Sequence, residues 1–282
     1  MKNITAALLV AAIFLVYSCG DGSVESRNDT ITDTLSDTGQ INDTTRIRFR
    51  KLVAALPVPF DILRKFSGAK LPFRKELLLK PEAVSLLPDA KAQAIHLGIF
   101  GADIAYLISQ SKLSDAGPYL GSVRRLSDLI VIPTAFDAAT MKRFEANKNR
   151  KDSMQHLVNA SYKRIDSTLQ GNDRLILATL VIYGGWIESL YITTKHIGDE
   201  PQNEKNKVLY DMLAIQQPYM ENINGLLATF PDDSTCAQLS RETIALKKDF
   251  PTGNISPGDF SAKLAILRDR LSQIRGMLVN IS

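Results

Sequence analysis

From Leu175 to Ile192 the chain reads LILATLVIYGGWIESLYI, and Glu188 is the only charge in the run. A helix that is hydrophobic on every side must lie inside a bundle or cross a membrane. Eighteen residues are just long enough to cross. Against spanning stand Gly184-Gly185, the Glu188 carboxylate, which would cost ~2.5 kcal/mol or more in hydrocarbon, and the amphipathic pattern of the flanking segments. The expectation is therefore an all-α, multi-helix bundle around a central hydrophobic helix, about residues 172–196, capped by Asn172 or Asp173.

The remaining helices are marked by their ends. Asp89 after Pro88 starts one that runs to about Gln110, with Ile95, Ile99, Ala102 and Tyr106 on its inner face. A second spans about Ser114 to Ile132, with Pro118 in its first turn. Thr134-x-x-Asp137 resembles a capping box and opens a third, through Glu145. A fourth covers about Arg150 to Leu169, with Leu157, Ser161, Tyr162 and Ile165 turned inward and Gly171 as its stop. Later helices fall at about 203–230, 233–249 and 257–279, the last opened by Ser256-Pro257-Gly258-Asp259. Leu71 to Leu87 holds Pro72 and Pro81, with Pro88 just beyond, so it reads as an extended or short-helix wrap. Gly98 and Gly101 in the first long helix cost about 1 kcal/mol each relative to alanine, which predicts a close crossing with Gly184-Gly185.

The first residues form a different unit. Lys2 precedes an apolar run from Ile4 to Tyr17 that is too short for a comfortable span and ends in Val16-Tyr17-Ser18-Cys19. This resembles a bacterial lipobox, which implies cleavage before Cys19 and acylation of its thiol and new amino group, palmitate included. Gly20 rather than Asp after the cysteine favours the outer membrane by analogy. Residues 1–18 are then a signal peptide, residues 19–46 the lipidated cysteine and a flexible tether, and residues 47–282 a single helical domain. The tether is rich in Asp, Asn, Ser and Thr and cannot bury enough surface to order itself. Its ~26 residues reach ~25–30 Å as a coil. Its Asp-Thr units resemble the O-glycosylation signal of Bacteroidetes envelope proteins, which makes Thr30, Thr34 and Thr44 candidate acceptors; a plain solvated spacer is the alternative. Arg46, Arg48, Arg50 and Lys51 form a small basic cluster that reads as a solvated collar or a contact for anionic lipid.

Charge narrows the function classes. Thirty-four basic and 30 acidic residues give +4, too even a balance to predict a nucleic-acid partner. Two cysteines, Cys19 and Cys236, make no disulfide framework and no zinc spacing. No Walker A, GxSxG, GxGxxG or HExxH motif occurs. No metal site and no cofactor are expected. Asp103 and Glu188 are the acids set among apolar residues on the two glycine-bearing helices. A carboxylate pair of this kind serves acid–base or metal chemistry, or else pairs with buried arginines such as Arg143 or Arg174; the second is the expectation. Trp186, with Tyr183 and Tyr191, lines either a ligand groove or the core, and core is the expectation.

Four stretches together resemble an uncharacterised family of Bacteroidetes lipoproteins: Pro57-Val58-Pro59, Leu97-Gly98-x-x-Gly101-x-Asp103, Asp152-Ser153, and Gly184-Gly185-Trp186-x-Glu188-x-x-Tyr191. The similarity covers about Pro57 to Tyr219. It implies a membrane-anchored, all-α envelope protein and carries no activity. The functional expectation is a non-catalytic binding or scaffold module, held to the bilayer through acylated Cys19 and engaging an envelope protein or ligand. The competing classes are a helical-bundle enzyme or metal protein built on Asp103 and Glu188, and an open helical-repeat scaffold.

Overall fold

The computed structural model describes residues 42–56, 63, 65–68, 71–132, 135–251 and 256–280. Among them the only regular structure is helical: α1 (Asp43–Ala54), α2 (Ala90–Ser109), α3 (Ala116–Leu129), α4 (Ala138–Ala146), α5 (Lys151–Gly171), α6 (Leu175–Ile197), α7 (Lys207–Ala214), α8 (Gln217–Leu227), α9 (Ser234–Asp249) and α10 (Pro257–Val279). Between α1 and α2 the proline-bearing wrap makes only short 3-10 turns, at Lys65–Gly68, Lys75–Leu77 and Pro81–Leu86.

The long apolar helix is the axis, as expected. α6 and α2 form the most extensive pairing in the molecule, and α5, α7 and α10 pack against α6 around it. Both axial helices are long and apolar enough to cross a membrane, but 83% and 89% of those apolar windows are covered by protein. Their approach is set by small residues. A Cβ on Gly98 would overlap the Val181 carbonyl and lie 2.7 Å from the Gly185 nitrogen, and a Cβ on Gly184 would overlap the Ile95 carbonyl. The expected meeting of the glycine pairs therefore holds for Gly98 with Gly184-Gly185 but not for Gly101. Gly101 instead makes room for the Tyr162 ring of α5, whose hydroxyl donates to the Leu97 carbonyl at 2.7 Å. The serine and threonine hydroxyls near the end of α6 are satisfied within the helix. Ser189, Thr193 and Thr194 donate to the carbonyls of Gly185, Ser189 and Leu190, so these three polar side chains sit in an apolar interface with their hydroxyl protons satisfied.

Several boundaries move, each for a local reason. α1 begins at Asp43, capped by the Asn42 side chain on the Thr45 amide, so residues 43–46 belong to the domain and not to the tether. The α6 cap is neither Asn172 nor Asp173. Asn172 closes α5, and Asp173 takes φ 56° so that the Arg174 amide can donate back to the Leu169 carbonyl at 2.8 Å. This is a Schellman ending with aspartate in place of glycine, and Gly171 stays inside the helix. Asp137 itself caps α4 through the Thr140 amide, a role expected of Thr134, which lies outside the described residues. The expected 203–230 helix is two, because Pro218 cannot donate to a continuing ladder and starts α8 instead.

An open helical repeat is excluded by the ends of the fold. In a solenoid each unit touches only its neighbours. Here Arg275 on the last helix donates to the Leu77 carbonyl, 198 residues away, and to Glu188 in the middle of the chain. The elements form one closed bundle.

Candidate functional site

The two carboxylates singled out in the sequence do come together, deep in the bundle. Asp103 on α2 and Glu188 on α6 are both fully buried. Their cationic partner is Arg275 of α10, not Arg143 or Arg174. Arg143 is exposed on α4, and Arg174 spends its guanidinium on the Ile130 carbonyl. Arg275 grips Glu188 with both edges of its fork, Nε to Oε2 at 2.6 Å and Nη2 to Oε1 at 2.9 Å. The same Nη2 donates to the Leu77 carbonyl at 3.1 Å, and two residues further on the Leu79 amide donates to Asp103 Oδ2 at 3.1 Å. The guanidinium also lies over the Tyr191 ring, 4.5 Å from its centre. Three helices and the wrap are thus pinned at one point. The bidentate geometry and the aromatic face are features that arginine supplies and lysine does not.

Two acids and one base leave one negative charge in excess, and a proton resolves it. Burial, then the neighbouring Glu188 charge, push the Asp103 carboxyl well above the usual carboxylate range. Burial also pushes Glu188 upward, opposed by Arg275, while the Arg275 guanidinium is held protonated by Glu188 against the pull of burial. The proton therefore rests on Asp103. Its Oδ1, which has no donor partner among the described residues, then becomes a donor toward Glu188. Asp103→Asn should accordingly be tolerated, within ~1 kcal/mol, because an amide reproduces both the donor and the acceptor. The pH sign follows. A raised folded-state pKa contributes stability that is fully present below the unfolded value of 3.8 and is lost as pH rises through the folded value. Thermal melts from pH 4 to 8 should show wild type losing stability relative to Asp103→Asn as pH rises. Parallel curves would place the proton elsewhere.

The aromatic residues of α6 are core. Trp186 is 3% exposed and donates to the Gln216 side chain at 3.3 Å; Tyr183 is fully buried beside it. Cys236 is fully buried, and burial pushes its thiol up to about 12, which keeps it a small apolar filler. Among the described residues no cluster of three His, Cys, Asp or Glu side chains lies together. Cys19, Thr30 and Thr34 fall outside the described residues. Thr44 is described and sits in the first turn of α1, exposed but helical rather than in a loose segment.

Two features have no counterpart in the sequence reading. The first is a polar node at the end of α6. Tyr106 accepts from the Arg74 amide at 3.0 Å and lies 2.8 Å from His196 Nε2, among Phe66 and Phe73. Burial, then the Arg74 charge, push His196 down to about 4, so its neutral ring accepts a hydrogen bond from the Tyr106 hydroxyl at neutral pH. This node fastens the wrap to α2 and α6. The second is an open pocket of about 130 Å³ between α1, α2, α5 and α6. Gly98 and Gly101 form part of its wall, with Val53 of α1 and Leu56 just beyond it, Val158 and Ile165 of α5, and Ala178, Val181 and Ile182 of α6. Asn159, Tyr162, Lys163 and Asp166 supply its polar positions along one face of α5.

Comparison with protein-family models, with curated proteins and with solved structures finds no match for this chain. The fold and its sites define an all-α bundle with a sealed ionic pin and an accessible, mostly apolar pocket.

Proposed function

We propose that the protein is a lipid-anchored envelope module that binds a small, mainly apolar ligand and performs no catalysis. The supporting observation is the contrast between its two inner sites. The carboxylates that would do chemistry are shut away from solvent and committed to the Arg275 guanidinium and the Leu79 amide. The pocket is open, apolar in most of its lining and built by four helices. Binding sites are typically concave and apolar with a few polar groups, and a cavity of about 150 Å³ lined by aliphatic side chains is enough to hold benzene. The envelope location and the anchor rest on the Lys2-to-Cys19 sequence and on the resemblance to Bacteroidetes lipoproteins.

Indole is a suitable probe for the pocket. Ligand-observed NMR on the purified protein should give saturable binding with Kd on the order of 0.1–1 mM, the range open to so few atoms. Ile182 lines the pocket and is only partly buried. Ile182→Trp should fill the space and abolish that binding while leaving the melting temperature nearly unchanged. Equal binding to both proteins would remove the pocket from consideration. The anchor is tested separately: Cys19→Ser should release the protein from membranes under high-salt washing.

A further inference from the structure

The first described helix has two faces of different kinds. Its inner side carries Phe49, fully buried, and Leu52, which packs on Gly225 of α8. Its outer side centres on Ile47, which is 67% exposed, with Arg50 and Lys51 to either side at helical spacing and Arg48 at the edge, all exposed. Arg46 is not part of this outer face: it bonds Asp173 at 2.6 Å. Asp43, in the first turn, is the acidic residue on the same side. A protruding isoleucine ringed by three cations has no explanation in the packing of the bundle.

We propose that this face of α1 rests on an anionic bilayer surface and orients the bundle against the membrane. The proposal rests on the lipid-anchor reading, because α1 is the described element closest in sequence to Cys19. The intervening chain reaches at most ~80 Å even fully extended, so the bilayer is the one partner held at high local concentration beside α1. The chemistry fits that partner: cations meet anionic headgroups, and an apolar side chain among them enters the headgroup boundary, as in interfacial helices. The surface is small, so it would orient a molecule tethered elsewhere rather than hold one by itself.

Ile47→Trp provides the readout. The only native tryptophan, Trp186, is 3% exposed and stays shielded from an aqueous quencher. The full chain, purified from membranes, is placed on vesicles of phosphatidylcholine alone or with roughly one-third phosphatidylglycerol. On the anionic vesicles the emission of the introduced indole should shift to the blue and its quenching by iodide should fall several-fold, and high salt should reverse both. Adding Arg48→Glu, Arg50→Glu and Lys51→Glu should abolish the effect; the loss of three attractive charges corresponds to roughly a hundredfold in surface affinity. Protein that stays on both vesicle types with the introduced indole equally quenchable overturns the proposal and leaves the anchor standing. Protein that leaves neutral vesicles altogether, yet on anionic ones still shields the introduced indole, keeps this face and removes the anchor. A charge-reversed variant as well protected as Ile47→Trp alone overturns the proposal, since the charges would then not select the surface.

Discussion

Arg275→Leu should lower the unfolding free energy by about 3–5 kcal/mol, read as a fall in the urea midpoint with unchanged slope. The loss is large because, among the described residues, the arginine is the only cation bonded to the buried Glu188, and its charge also acts on Asp103. Without it the Glu188 carboxylate keeps its neighbour Asp103 and loses the fork that neutralised it, and the Leu77 carbonyl loses its donor. Against a total stability of ~5–15 kcal/mol for a natural domain, that is a substantial fraction. A second variant separates the pin from mere packing. Replacing Asp103, Glu188 and Arg275 together with apolar residues of similar volume should recover most of the loss, since what destabilises is an unpaired buried charge and not the absence of an ion pair. A triple variant as unstable as Arg275→Leu would mean that the network carries stability of its own.

Gly184→Leu should cost about 3 kcal/mol or more and broaden or abolish cooperative unfolding. The added Cβ would run into the backbone carbonyl of Ile95, which has no rotamer to change, so α2 and α6 must separate along their whole crossing. Gly121→Ala is the natural control. Gly121 lies inside α3 with open space where its Cβ would be, and alanine there should stabilise by up to about 1 kcal/mol through helix propensity. Opposite signs at two helical glycines, measured in the same denaturation series, would show that steric demand at the crossing decides the outcome. A Gly184→Leu protein melting with wild type would mean that the two helices can slide apart freely.

The architecture is legible because most of it is written in local signals. Asp89 and Ser256 each cap the helix that the sequence assigns them, through the amides of Ala92 and Asp259, and the 233–249 helix starts one residue later than expected because Asp233 is its cap, on the Cys236 amide. Where local signals compete, the sequence misleads. Proline in the first turn of a new helix and proline interrupting an old one look alike, which hides the break before Pro218. Aspartate at a Schellman position looks like an aspartate N-cap, which makes Asp173 point to the wrong helix. The site is half legible. Asp103 and Glu188 stand out as charges in apolar runs, but the identity of their partner is a tertiary fact. Arg275 lies 87 residues from Glu188 on a helix with no exceptional pattern of its own. The pocket cannot be read at all, since it is what four helix surfaces leave between them, and no periodicity relates those surfaces.

The bond between Leu77 and Arg275 has a consequence for how the protein comes into being. Until the final helix is synthesised and delivered, two acids wait inside greasy surroundings without their counter-ion, and the wrap has nothing to fasten it. The domain is thus a clasp whose catch is made last. A chain folding from its beginning would stay unsealed through most of its length and would lock only when α10 arrived.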